Sequence, residues 1–513
     1  MHAKVYAATP IGIEAHEVVV EVDLSFGMLQ FFIVGLPDRA ITESRQRIQT
    51  ALKNSGIRLP ERKITVNLAP ADLKKEGTLF DLPIALGIMQ ASKLIELSKS
   101  FLEETLFLGE LSLDGSIRGI KGALAIAFDA KKLGKRRIIL SKDNAAEAAL
   151  IADIEVIGVE NLVQLVAFIR GEISLEPTRM EFGALHETMF DSTVDFGEVK
   201  GQTQAKRALQ IAAAGRHNIL FIGPPGSGKT MLARRLPTLM PAMTFKEILE
   251  TTKIYSVSGK LKNTALITQR PFRNPHHTIS QAGLVGGGSF PQPGEISLTH
   301  NGILFLDELT EFKRTTLEVL RQPLENKTVC ISRANHAVTF PASFLMVAAL
   351  NPCPCGFLGD KKKECTCSRV QVERYLEKLS GPLLDRIDLQ INVQSVSYDS
   401  LKDTTQGHSS ADLSVAVKRA VLKQRERFGD QDVWNSSMNN AAIDAYCILT
   451  DSAQEIIKKA FDRLRLSMRG YHKILKVART IADLSGSEVI DVVHIQEAIM
   501  YRSLDQALEH MKA

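Results

Sequence analysis

Apolar positions along this chain follow three rhythms, and each predicts a different kind of region. Short stretches in which apolar and β-branched residues crowd or alternate, Glu17–Asp23, Phe31–Val34 and Ile64–Asn67, predict strands. A run of helical period, Arg39–Asn54, lies between them, and in Lys131–Leu140 a helix is expected to stop at Gly134 before a strand begins. Residues 1–170 therefore read as mixed α/β. The pattern weakens over 171–196, where Glu, Thr, Ser and Pro177 collect, and a linker is expected there. A second α/β region, 197–393, is dense in Gly-Pro turns and closes on the strand-like Leu389–Val393. A polar linker, 394–411, leads into 412–513, which is helical by period at Leu413–Phe428, Ala453–Arg465 and Tyr471–Leu484.

Composition narrows this picture. A length of 513 residues with 44% hydrophobic and 24% charged residues suits several soluble domains, each with its own core. The 63 basic and 58 acidic side chains leave a net charge of only +5, so any nucleic-acid site must be local rather than global. Aromatic residues make up 6%, which argues against a surface of stacking platforms. No apolar run approaches the ~18 residues needed to span a bilayer, and Met1–Tyr6 lacks the plan of a signal peptide. With six cysteines, too few for a disulfide scaffold, a cytoplasmic protein without membrane contact is expected.

The chemistry concentrates at three strand ends. Ile219–Ile222 runs directly into Gly223-Pro224-Pro225-Gly226-Ser227-Gly228-Lys229-Thr230 and then a helical run, Met231–Leu236. This strand–loop–helix plan is a P-loop: backbone N–H groups cradle phosphate oxygens, Lys229 neutralises the outer phosphates, and the Thr230 hydroxyl holds Mg²⁺. Further on, the apolar Ile303–Leu306 ends in Asp307 and Glu308, a pair costly to bury without a cation or a reaction to serve. Asp307 is placed to complete the Mg²⁺ shell and Glu308 to polarise an attacking water. A third strand, Leu345–Leu350, ends in Asn351, which can orient the same water, though Asn before Pro is also a common turn.

With these strand ends in place, residues 197–393 resemble an AAA+ ATPase, and more narrowly the magnesium-chelatase-related group. The matching segments are Gly223–Thr230, Phe290–Ser297, Asn301–Leu309, Asn351–Gly356 and Gly381–Leu389. Nearly the whole chain resembles the bacterial ComM/YifB family. That resemblance implies a P-loop AAA+ α/β core and a C-terminal helical lid behind an N-terminal α+β domain similar to the Lon protease. It also implies a homo-hexameric ring with ATP and Mg²⁺ between subunits. Arg386 then matches the arginine finger and Arg469 the sensor arginine of the lid. Residue by residue, other readings stand: Arg386 can be a salt bridge to Asp385 or Asp388, and Arg469 an exposed helix-start arginine. The family's activity implies sequence-independent binding of single-stranded or branched DNA, with branch migration in natural transformation and recombination proteins as candidate partners. The rival of a different class is a chelatase motor subunit driving Mg²⁺ into a porphyrin.

Within the Lon-like third, Asn67–Pro83 resembles the stretch that carries the protease nucleophile, but Asp81 stands at the expected serine and Leu124 at the expected lysine. A peptidase needs a hydroxyl beside a base, so the domain is expected to be non-proteolytic. Its basic residues Lys74, Lys75, Arg118 and Lys121 are candidates for DNA contact or simply a solvated surface. Asn326–Phe340 predicts a hairpin with its tip at Arg333–His336, and the five Lys or Arg against two Glu in 313–340 give a local surplus of +3. Lys327 and Arg333 are the DNA candidates there, with a purely structural turn as the other reading. His276 and His277 are expected to make local hydrogen bonds, with a pore or nucleotide-linked role as the alternative. Cys353, Cys355, Cys365 and Cys367 can close a tetrahedral Zn²⁺ site; free thiols or redox chemistry are the alternatives. Cys330 and Cys447 are expected to be packing residues.

Overall fold

The computed structural model describes residues 1–28, 30–179, 194–261, 266–288, 291–333, 336–360, 362–395, 408–429, 433–464 and 466–502, with the side chains of 333 and 336 excepted. Most of the two expected linkers therefore lies outside the described residues. The chain forms two compact units, one of Met1–Glu187 with Ile248–Ile267, the other of Thr188–Glu247 with Thr268–Ala513. The segment Ile248–Ile267 thus belongs to the first unit although it falls inside the range 197–393.

In the first unit a four-stranded sheet runs in the order His2–Ile11, Glu14–Ser25, Lys63–Ala69, Phe31–Val34. Its alternating sequence is read directly as alternating burial: Val18, Val20, Val22 and Leu24 face the core while their neighbours are partly exposed. The helix Arg39–Asn54 starts where Asp38 accepts the backbone N–H of Ile41 at 2.8 Å. It buries Ile41, Ser44, Ile48, Ala51 and Leu52, the three-and-four spacing of one helical face. A second, parallel sheet joins Thr105–Phe107, Arg137–Ser141 and Glu155–Val159. The helix Ala123–Ala130 ends four residues before the expected stop at Gly134, which instead takes a φ of 74° in the turn leading to the strand Arg137–Ser141.

The second unit is built on a five-stranded parallel sheet in the order Phe272–Arg273, Ile303–Leu306, Leu345–Leu350, Ile219–Ile222, Leu389–Asn392. Its central strands are continuous apolar runs because both sheet faces are covered. Helices Ser410–Phe428, Asp451–Arg463 and Met468–Ser485 follow, and Val417, Ile457, Ile474 and Ile481 share one apolar core with Phe221, Phe305 and Val347 of the sheet. The helical C-terminus is therefore continuous with the sheet's core. In such a sheet, ligands sit beyond the carboxyl ends of the strands.

Candidate functional site

Three of those carboxyl ends carry the groups singled out from the sequence. After Ile222 the chain turns through Gly223, where a Cβ would lie 2.1 Å from the Val393 carbonyl oxygen, so only glycine fits. Gly226 and Gly228 take φ of 76° and 90°, conformations other residues rarely adopt, and Gly228 opens the helix Lys229–Arg235. The helix begins at Lys229, two residues earlier than periodicity predicts, because the glycine turn closes directly onto it.

Inside this loop, Lys229 Nζ donates to the carbonyls of Gly223 at 2.6 Å and Pro224 at 2.9 Å, and to Asn351 Oδ1 at 3.2 Å. Burial lowers its pKa, while Asp307 and Glu308 pull the other way. Thr230 Oγ1 donates to Asp307 Oδ2 at 2.7 Å. Lys229, Thr230, Asp307 and Asn351 are thus brought together. Ser227 Oγ is buried and makes no hydrogen bond among the described residues, a free donor in the glycine-rich turn. Pro224 and Pro225 complete the turn, and Gln202, which the sequence reading missed, donates to the Ser227 carbonyl at 3.3 Å. A magnesium nucleotide fits this donor set: an orphaned hydroxyl, an ammonium whose present acceptors are exchangeable, and a hydroxyl–carboxylate pair suited to Mg²⁺.

The paired acids differ in environment. Asp307 is half-buried, but Glu308 is exposed, so the expectation that both are buried is corrected. Glu308 adopts a left-handed φ of 52° that turns its side chain off the strand axis. Its carboxylate lies 3.7 Å from His277 Nδ1. His276 makes the expected local hydrogen bond, to Thr278 Oγ1 at 2.9 Å, whereas His277 faces the glutamate.

Arg386 stands at the other end of the sheet. Its carbonyl accepts from Asn218 Nδ2 at 3.0 Å, and Asn218 immediately precedes the strand whose far end runs into the Gly223–Thr230 loop. A four-residue strand spans about 13 Å, so Arg386 does not face its own loop. The guanidinium pairs with Glu325 at 2.7 Å, not with Asp385 or Asp388. Asp388 instead pairs with Lys473 at 2.9 Å; burial pushes its pKa up, but Lys473 and His217 hold it far below the usual range. Arg469, exposed in the first turn of Met468–Ser485, also reaches Glu325 at 2.7 Å. Glu325 therefore gathers both arginines, a link between residues 144 apart in sequence that no local motif signals.

The hairpin pairs Thr328–Arg333 with His336–Pro341, with Arg333 opposite His336 at its end. The Arg333 side chain lies outside the described residues. Lys327 sits at the hairpin's base, half-buried with a φ of 58°. Burial lowers its pKa, Asp388 opposes that, and Arg216 and Lys476 add to it. Cys330 is exposed, a correction to its reading as a packing residue: Val329 and Ile331 turn inward, so the residue between them turns out. Cys447 is buried as expected.

The cysteine loop closes on itself. The sulfurs of Cys353, Cys355, Cys365 and Cys367 all lie within 4.8 Å of one another, with none in a disulfide. Cys353–Cys355 is 3.3 Å and Cys353–Cys365 and Cys355–Cys365 are 3.6 Å, near the separation of about 3.8 Å across a tetrahedral Zn–S₄ centre. The donor set fits zinc.

In the first unit, Asp81 is buried and bridged by Arg47 at 2.8 and 3.1 Å, and burial raises its pKa to about 6 despite that guanidinium. Leu124 is fully buried. Lys75 is also fully buried and donates to the Pro70 carbonyl, which corrects its reading as a surface contact for DNA. Lys74 is paired with Glu76.

Comparison with known proteins gives three family matches. Residues 195–401 match the family described as magnesium chelatase, subunit ChlI; residues 20–144 match subunit ChlI of Mg-chelatase; and residues 407–502 match the ChlI C-terminal family. Similar proteins include competence protein ComM of Haemophilus influenzae, 45% identical over 99% of this chain and 99% of its own. The uncharacterized protein YifB of Escherichia coli is 42% identical over 99% of this chain and 98% of its own. Lon protease 2 of Bacillus subtilis is 31% identical over 46% of this chain and 48% of its own. Among the described residues, no helix is long and apolar enough to cross a membrane.

Proposed function

The chain belongs to the ComM/YifB family of magnesium-chelatase-like AAA+ ATPases, and from that premise we propose that it is a hexameric DNA motor. In this reading ATP hydrolysis drives helicase or branch-migration activity on single-stranded or branched DNA, without sequence preference, in recombination or natural transformation. The observation that carries the ATPase is the meeting of Thr230 with Asp307 at 2.7 Å beside a buried, unpartnered Ser227 hydroxyl.

Each residue then has a task. Gly223, Pro224, Pro225, Gly226, Ser227 and Gly228 shape the phosphate cradle, and Lys229 exchanges its carbonyl and amide partners for phosphate oxygens. Thr230 and Asp307 would hold Mg²⁺, which would neutralise charge on the outer phosphates of the bound nucleotide. Glu308 accepts a proton from the attacking water, and Asn351 helps to orient it. Arg386 and Arg469, tied to one carboxylate at the sheet's opposite end, are read as acting together on a neighbour's nucleotide. A site split between two faces of the same protomer closes naturally into a ring of head-to-tail contacts. Zn²⁺ held by Cys353, Cys355, Cys365 and Cys367 is read as structural. The first unit is read as non-proteolytic, since an Arg47-bridged carboxylate and a buried leucine occupy the matched positions.

The DNA reading rests on the name of a relative, a competence protein, and on the basic hairpin. A chelatase motor subunit is the second reading, favoured by the descriptions of the matched families; the match along nearly the full length of ComM, together with the cysteine loop, weighs against it. ATP turnover measured with and without single-stranded or forked DNA, beside strand displacement on a branched substrate, tests the proposal. DNA-stimulated turnover and displacement are expected, and Arg333→Ala should weaken DNA binding and flatten its salt dependence. A protein that stays monomeric with every nucleotide and ignores DNA overturns it. Turnover stimulated by a chelatase partner instead favours the second reading.

A further inference from the structure

The four-cysteine loop lies against the nucleotide site at three separate places. Asn351, whose amide oxygen accepts from Lys229 at 3.2 Å, is two residues before Cys353. Gly356, one residue after Cys355, takes a φ of 83°, and a Cβ there would lie 2.6 Å from Pro225 Cδ; the knuckle rests directly on the phosphate loop. The third contact runs through the helix Arg369–Leu376. Its Tyr375 packs in a small apolar cluster with Cys353, Val372 and Leu376, and the Tyr375 hydroxyl shares a hydrogen bond with Thr310, two residues beyond Glu308.

That cluster contains four buried residues, Cys353, Val372, Tyr375 and Leu376. So few apolar side chains cannot hold a loop in one conformation by burial alone, and a bound metal is the usual substitute for a missing core. Many of the turn's backbone N–H groups serve sulfur: Gly356 N donates to the Cys353 carbonyl at 2.9 Å, but Cys355 N donates to Cys367 Sγ at 3.4 Å, the Phe357 and Thr366 backbones bond to the Cys355 sulfur, and the Leu358 backbone to that of Cys353.

We propose that the zinc knuckle is a positioning element of the nucleotide site, holding Asn351, Pro225 and Thr310 from one metal-centred core so that nucleotide binding depends on zinc occupancy. This rests on the readings above that the thiolates hold zinc and that Gly223–Thr230 holds nucleotide. The knuckle touches no reacting atom. It acts as outer-shell partners do at metal sites, by fixing the orientation of groups that do.

The test uses the full-length protein as purified without chelator. Zinc per chain is measured by atomic emission, and MgADP affinity by calorimetry before zinc removal, after it, and after zinc is added back. Close to one zinc per chain, MgADP affinity lower by about tenfold in the stripped protein, and recovery with zinc are expected. Two variants keep all four thiolates and so bypass any unfolding of stripped protein. Gly356→Ala should retain zinc yet weaken MgADP binding by displacing Pro225. Tyr375→Phe should retain zinc and MgADP binding yet lower kcat with KM little changed, because only the Thr310 side is released. Well under one zinc per chain overturns the metal reading. Full zinc with MgADP affinity and kcat unchanged in both variants overturns the coupling. Zinc-replete protein that binds no MgADP overturns the nucleotide site itself.

Discussion

Glu308 occupies a left-handed backbone conformation at φ 52°, which costs a non-glycine residue about 1–2 kcal/mol. Such local strain persists where the surrounding structure fixes it, and here it swings a carboxylate away from the Asp307–Thr230 pair toward His277. Glu308→Gln should keep nucleotide binding, since Glu308 makes no hydrogen bond to Lys229 or Thr230, but lower kcat by 100-fold or more, on the order of what loss of a general base costs. Nucleotide titration beside steady-state turnover checks this; near-normal turnover removes Glu308 from catalysis. Glu325 poses a different question, because one carboxylate holds Arg386 and Arg469, each at 2.7 Å. Glu325→Gln removes the charge but keeps the size, so both arginines lose their anchor. Turnover of the assembled protein should fall while MgADP binding by a single protomer is unchanged, as Glu325 lies at the sheet end opposite the loop. Weaker MgADP binding would show instead that the variant disturbs the core.

At the scale of elements, the helix Phe245–Val257 begins on a buried charge cluster. Glu247 accepts from Arg270 Nη2 at 2.9 Å and from the Thr244 backbone at 2.9 Å, and it also pairs with Arg216. Burial pushes its pKa up, but the two guanidiniums outweigh that and bring it from 4.5 to about 2. The folded value is below the unfolded one, so the stabilisation is fully present above about 4.5 and is lost as pH falls toward about 2, amounting to about 3 kcal/mol. Glu247→Gln should therefore lower the urea midpoint at neutral pH, and the gap to the parent should narrow across that acid window. A gap that stays constant with pH would mean that Glu247 contributes through packing instead. Elements of this kind also mark how far sequence reading reaches. Arg39–Asn54, Ile219–Ile222 and Leu345–Leu350 have the predicted boundaries because glycine, proline or a capping Asp38 ends each run where its period ends. The Thr230–Asp307 meeting was legible from two motifs with known roles. Glu325 was not, as an acid in a charged stretch gains meaning only when a helix beginning at Met468 arrives beside it. Gly356 beside Pro225 was equally hidden, since a glycine in a cysteine loop announces a turn but not what rests on it. Cys330 was recoverable from the alternation of Val329 and Ile331, which outweighs the general tendency of free cysteine to be buried.

For the whole molecule, the placement of Arg386 at the amino end of the sheet and of Lys229 beyond its carboxyl end gives one protomer two half-sites that face apart. If the proposed ring is right, each complete site takes its loop from one chain and its arginines from the next. Two variants, each inactive alone, can then complement one another. Glu308→Gln spoils the loop side and keeps Arg386; Arg386→Ala spoils the finger side and keeps Glu308. Mixed in equal amounts and allowed to reassemble, a site is intact only where an Arg386→Ala loop meets a Glu308→Gln finger, so about a quarter of sites recover if association is random. Turnover should rise from near zero toward that fraction of the parent rate and fall again when either variant is in excess. A protein acting through Arg386 within its own chain offers no such rescue, because every chain would carry one broken half. Recovery under mixing, together with turnover per chain that increases with protein concentration, would tie hydrolysis to assembly, whereas a flat zero at all ratios would confine Arg386 to its own chain, and an active Arg386→Ala protein would return it to the role of an ion-pair partner for Glu325.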